Sequence, residues 1–195
     1  LTHSLHRRGS KDELKSDFVI LAMLAEKVND KTPNARQRLF HIANILKQYN
    51  PTNIIPKRAW KISPVISASF TDMKTVKKVI KTLKQEDLGI SIVISGLISE
   101  IQKLLEEIGL NMHTVHLSLG IFGRKELLPS EKILEITTMC GHHCISPQSV
   151  EYYVELIKNG KISIEKAVEK LTKPCVCGIF NQERAINILN ELIKN

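Results

Sequence analysis

Every cysteine of this 195-residue chain lies in its last third, in two short knots: Cys140-Gly-His-His-Cys144 and Cys175-Val-Cys177-Gly. Thiols gathered this way suit one metal ion or an iron–sulfur cluster, because either needs several soft ligands converging on a point. The expected ligands are Cys140, Cys144, Cys175 and Cys177, with His142 as substitute if one thiol stays free. A one-residue gap between cysteines is unusual for zinc, whereas iron–sulfur clusters accept varied spacing. A [4Fe–4S] cluster is therefore the first expectation and zinc the second. The competing reading makes Cys140 and Cys175 small core residues and leaves His142 and His143 bonded to local backbone.

Both knots precede a helix start. Ser146-Pro147 follows the first, and Asn181 caps the helix after the second. Unpaired amides and the helix dipole at such termini favour thiolate and offset the negative charge of a thiolate-ligated centre. Gly141 and Gly178 are expected to let the backbone approach closely and take positive φ.

The rest of the chain must position these turns. Phe18–Leu24 is a continuous apolar run, the pattern of a strand buried on both faces. Thr32-Pro33 opens a helix to about Tyr49, with Leu39, Ile42, Ala43 and Leu46 on one stripe. Strands are expected at Val65–Phe70, Ile90–Leu97 and Thr114–Ile121, and helices at Met73–Lys84 and Ile98–Ile108. Residues 51–63, rich in proline, resist assignment. This alternation implies an α/β fold with right-handed crossovers and a largely parallel sheet over residues 1–124. Helix starts at Ser130, Ser146, Ser163 and Asn181 then give an all-helical block over 125–195, carrying both cysteine motifs and packed on the first unit.

The formal charge of +8 and pI of about 9.3 raise nucleic acid as a partner. Against that, the lysines (Lys74, Lys77, Lys78, Lys81, Lys84) spread as a solvated surface would. With only 5% aromatic residues, base-stacking platforms are scarce. No apolar run is long enough to span a bilayer, and the opening residues do not read as a signal peptide. The reducing cytoplasm is the expected compartment, where disulfides are disfavoured.

Other polar groups are weaker signals. At the C-terminal edge of a parallel sheet, Ser95-Gly96 and Gly120, Gly123 and Arg124 would suit an anionic small molecule. Asp72 reads as a helix cap rather than an acid catalyst, and Ser10 to Glu13 as a capping box. His113 and His116 flank the start of the last expected strand, as site or surface residues. His3, His6, Arg7 and Arg8 form a cationic patch suited to a phosphate or carboxylate, or simply a basic terminus. No nucleophile-elbow motif is present, so nucleophilic catalysis of the Ser–His–Asp type finds no support.

The stretches Glu135–Cys144 and Lys173–Asn181, together with Leu5–Gly9 and Thr114–Gly120, resemble an uncharacterised protein family of methanogenic archaea and other anaerobes. The resemblance covers most of the chain and carries no activity. It implies that relatives often lack a cysteine at the place of Cys144. Three cysteines with His142, or a cluster with an open iron, then join the options. The leading function is redox or metallocofactor handling at a cysteine-ligated centre. A non-catalytic regulatory module with structural zinc and a nucleic-acid binder are the alternatives.

Overall fold

A computed structural model describes residues 7–194. Its elements in chain order are α1 (Lys11–Leu14), β1 (Phe18–Met23), α2 (Ala35–Gln48), β2 (Asn53–Ile54), β3 (Val65–Phe70), α3 (Met73–Glu86), β4 (Ser91–Ser95) and α4 (Ile98–Glu107). Four helices follow: α5 (Glu131–Thr137), α6 (Pro147–Lys158), α7 (Ile164–Thr172) and α8 (Gln182–Lys194).

The mixture of strands and helices matches expectation, but the sheet does not. Its order is β2-β3-β1-β4, and every neighbouring pair is antiparallel. The crossover logic explains how the alternation misleads. Strands β3 and β4, joined through α3, run parallel, but β1 sits between them in the opposite sense. Likewise β3 separates β1 from β2. Two interleaved split β-α-β units result, the chain path called ferredoxin-like, a name that describes topology and not a cofactor. The expected strand at Thr114–Ile121 is absent from this sheet, and that segment has no regular structure.

Register explains why β1 reads as one apolar run. On one face Ile66, Ala22 and Ile92 align across β3, β1 and β4, followed by Ala68, Ile20 and Ile94. This face packs on α2, α3 and α4 through Leu39, Ile42, Leu46, Val76, Val79, Ile101 and Leu104. The opposite face presents Val19 and Leu21 beside Ser67 and Ser69. There Val19 joins the core of the helical block, with Ile136, Met139, Val150, Leu171, Phe180 and Leu189. A strand covered on both faces loses its alternation whether its neighbours are parallel or antiparallel.

Local signals fix most boundaries. Asp72 caps α3 by accepting from the Thr75 amide at 2.7 Å, and Ser10 with Glu13 forms the capping box. In the proline-rich connection, Trp60 is buried and donates Nε1–H to the Ile55 carbonyl at 2.8 Å.

The segment before β1 is tied down by charge. The Asp17 carboxylate, fully buried, receives Arg7 Nη1 at 2.5 Å, Arg184 Nη1 of α8 at 2.8 Å and Asn181 Nδ2 at 3.1 Å. Arg7 and Arg8 of the cationic patch are thus engaged internally, Arg8 also pairing with Glu131 at 2.5 Å, while His3 and His6 lie outside the described residues. Removing the carboxylate leaves two buried guanidinium groups without a counter-charge. Asp17→Ala should lower unfolding stability by about 3–5 kcal/mol in urea titration.

Nearby, Lys132 gathers Glu13 at 3.1 Å, Glu135 at 3.0 Å and Glu191 at 2.8 Å. Burial opposes ionisation of Glu13, but bonds from Ser10 and Lys132 outweigh it and hold the carboxyl at about 2, against an ordinary 4.5. Glu13 therefore binds its proton more weakly folded than unfolded. Its stabilising contribution is fully present above about pH 4.5 and is lost as pH falls toward 2. Acid titration of Lys132→Ala followed by circular dichroism should show a smaller stability loss across that window than the native chain.

Candidate metal centre

Two inter-helix turns carry the thiols. The first runs from the end of α5 to Ser146, whose hydroxyl accepts from the Ser149 amide at 3.0 Å as α6 begins. The second runs from Lys173 to Asn181, whose Oδ1 accepts from the Arg184 amide at 3.0 Å as α8 begins. With α5 packed on α8 and α6 on α7, the first and third connections of the block meet. Both knots therefore stand where sequence placed them, just before helix N-termini. The left-handed residue of the first turn is His143 (φ 53°) rather than Gly141, whereas Gly178 takes φ 71° as expected.

The sheet holds the second turn from below. Ser67 Oγ of β3 donates to the Cys177 carbonyl at 2.5 Å, and Asn53 Nδ2 of β2 donates to the Phe180 carbonyl at 3.1 Å. Gly178 lies against the backbone of Ile54 and Ile55 so closely that a Cβ would collide with it. Sequence reasoning missed Ser67 and Asn53. The signal for Ser67 was two serines alternating inside an otherwise apolar strand.

All four cysteines are free thiols. Cys175 Sγ and Cys177 Sγ stand 3.8 Å apart, and Cys177 Sγ lies 3.6 Å from His142 Nδ1. Cys140 adjoins Cys175, and Cys144 adjoins Cys140. The two knots thus come together. Exposure is graded: Cys140 and Cys175 are buried, Cys177 is intermediate, and Cys144 is exposed along with His142 and His143. Among the described residues, no set of three or more His, Cys, Asp or Glu donors is drawn into ligating position around one point. Cys144 lies at the exposed end of the group, its Sγ facing the His142 carbonyl at 3.9 Å.

The thiols resist ionising together. Cys140 is held well above the ordinary thiol range, first by its bond with Cys175, then by burial and the Cys175 charge. The strongest influence on Cys175 is the Cys140 thiol, which lowers it, but Cys177 and burial prevail and push it up to about 11. Burial, then Cys140, raises Cys144. Cys177 alone shifts down, chiefly through its bond with Cys175. Such mutual opposition is what an entering cation relieves.

The other expected site residues do not join this centre. Gly120, Gly123 and Arg124 lie on an exposed stretch outside the sheet, with nothing within 4 Å of a Cβ built at either glycine. Arg124 pairs with its neighbour Glu126 at 2.9 Å. The sheet edge that would have presented them as an anion cradle belongs to the parallel arrangement, which this chain does not adopt. His113 bonds Thr114 Oγ1 at 2.7 Å, and both His113 and His116 border a groove beside β4. A smaller cavity of about 300 Å³ borders Cys175 and is lined in part by Arg58, Lys173 and Glu169.

No family model, curated protein or solved structure matches the chain. No helix among the described residues is long and apolar enough to cross a membrane.

Exposure and ionisation together set an order of reactivity. In the folded, metal-free protein, an alkylating reagent should modify Cys144 and Cys177 first. Cys140 and Cys175 should react only after denaturant is added. Peptide mass spectrometry across a time course reads this directly, and early labelling of Cys140 would contradict it.

Proposed function

We propose that the chain binds one metal ion between its two cysteine turns, through Cys140, Cys175 and Cys177, with Cys144 or His142 completing the set. The sulfur spacing carries this reading. A metal–sulfur bond of about 2.3 Å in a tetrahedral site places ligand sulfurs roughly 3.8 Å apart. Cys175 and Cys177 already stand at that separation, 3.8 Å. A [4Fe–4S] cluster puts four irons between its ligands and needs wider spacing, so it would require the turns to open. A single ion, with zinc foremost, fits with less movement.

The graded exposure supports a handling role over a sealed structural one. Structural sites enclose their ion, whereas sites that exchange ligands keep one position approachable. Here the approachable corner is Cys144, with His142 and His143 beside it. Four free thiols in contact suit the reducing cytoplasm. Metal or metallocofactor handling is therefore the role we favour.

The test is elemental analysis of protein purified without oxygen, followed by metal titration. About one zinc or iron per chain is expected, lost in Cys140→Ser and Cys175→Ser. Saturation at roughly 100 times the dissociation constant should add about 2.7 kcal/mol of stability. Binding should tighten with rising pH and release protons, because the raised Cys140 and Cys175 thiols must deprotonate to ligate. Four irons with inorganic sulfide would replace the single ion with a cluster. Failure of reduced protein to retain any metal would defeat both.

A further inference from the structure

The thiols of the two turns form a line of sulfurs, and their exposure changes along it. Cys144 adjoins Cys140, Cys140 adjoins Cys175, and Cys175 Sγ stands 3.8 Å from Cys177 Sγ. The two middle members are closed to solvent, Cys140 at 0% exposure and Cys175 at 4%. Cys177 is partly exposed, and its neighbour Val176 is 60% exposed. A dissolved oxidant therefore meets an end of the line before its middle.

The two ends differ. The Cys177 sulfur faces another sulfur, so an oxidised Cys177 has a thiol in reach. The Cys144 sulfur turns to the His142 carbonyl at 3.9 Å, although Cys140 adjoins it and a bridge there is the competing product. A bridge between Cys175 and Cys177 would close a tight ring over one intervening residue. Its backbone is pinned by Ser67 Oγ on the Cys177 carbonyl and by Gly178 against Ile54 and Ile55. Strained disulfides exchange readily, and Cys140 lies beside Cys175 to take over the bond.

We propose that the two turns act as a peroxide-responsive thiol relay, in which Cys177 meets the oxidant and the disulfide comes to rest between Cys140 and Cys175. The Cys177 thiol attacks hydrogen peroxide, the O–O bond breaks, and Cys177 sulfenic acid and one water form. The Cys175 thiol then attacks the Cys177 sulfur, closing a disulfide and expelling the hydroxyl as a second water. Cys140 next attacks Cys175, and its proton passes to the Cys177 sulfur, which departs as a thiol. In sum, two thiols and one peroxide give one disulfide and two waters. The product ties the connection after α5 to the one before α8. In a reducing compartment such a bridge is transient, as a sensor requires. The relay itself needs no metal. Its consequence for metal rests on the reading above: the bridge consumes two ligands, so oxidation releases the ion.

Treating metal-free protein with equimolar hydrogen peroxide tests the relay. Free thiols should fall from four to two per chain, with Cys140 joined to Cys175 in the peptide mass spectrum, and a thiol reductant should restore all four. In Cys177→Ser the bridge should form about tenfold more slowly, because peroxide must then reach a buried thiol. In Cys175→Ser a sulfenic acid should persist on Cys177 and be captured by a 1,3-dione reagent. A bridge between Cys140 and Cys144 in its place would overturn the proposal, as would sulfinic acid without any bridge. Capture of the sulfenic acid on Cys144 alone would do the same. Zinc-loaded protein, assayed with a chromogenic chelator, separates the two readings. Zinc release in step with the bridge supports both, and a bridge in protein that never retains zinc keeps the relay and removes the metal. Zinc held fast after the bridge has formed would overturn oxidant-driven release.

Discussion

The Asp17 carboxylate is where three distant parts of the chain meet. It stands at the entrance to β1 and receives Arg7 from the preceding segment and both Asn181 and Arg184 from the start of α8. Two guanidinium groups share one carboxylate in a region closed to water, which would be costly if their other donors went unmet. Backbone carbonyls meet part of that need: Arg7 Nη2 donates to Ile179 and Arg184 Nη2 to Arg8, each at 2.5 Å. Ile179 and Asn181 lie just beyond the Cys-x-Cys turn. The ionic cluster thereby anchors the downstream end of that turn, while Ser67 and Gly178 press its middle onto the sheet. The geometry of the thiols depends on this clamp.

The split β-α-β topology leaves one sheet face for α2–α4 and the other open to whatever the chain supplies. Here α5–α8 supply it, so the Cys-x-Cys turn rests on a sheet rather than projecting from a free-standing bundle. A rigid floor matters for soft ligands, because positions set by packed backbone hold a ligand set better than loose side chains do. Cys140 and Cys175, the two thiols in the core of the helical block, have that support. Cys144 does not, and its exposure is the cost of lying on the rim.

Much of this was legible in the residues. Ser146, Ser163 and Asn181 gave the starts of α6, α7 and α8 to within a residue, because a side-chain oxygen accepting from the first-turn amides is a local interaction; Ser130 precedes α5 without such a bond. The proximity of the two knots followed from ligand chemistry. Sheet direction did not follow, because the apolar run of β1 records burial on both faces and says nothing of the sense of its neighbours. Thr114–Ile121 kept strand periodicity without a strand partner, since periodicity reports a preference and pairing is a tertiary matter. Asp17 gave no warning either, as its partners lie 10 and 167 residues away.

That last separation shapes how the molecule comes into being. On a ribosome, Arg7 and Asp17 emerge well before Arg184, which follows 167 residues after the carboxylate. Until then the carboxylate lacks its second cation, and the downstream end of the Cys-x-Cys turn lacks part of its anchor. Vectorial synthesis therefore completes the anchor of the Cys-x-Cys turn only after Arg184 has emerged.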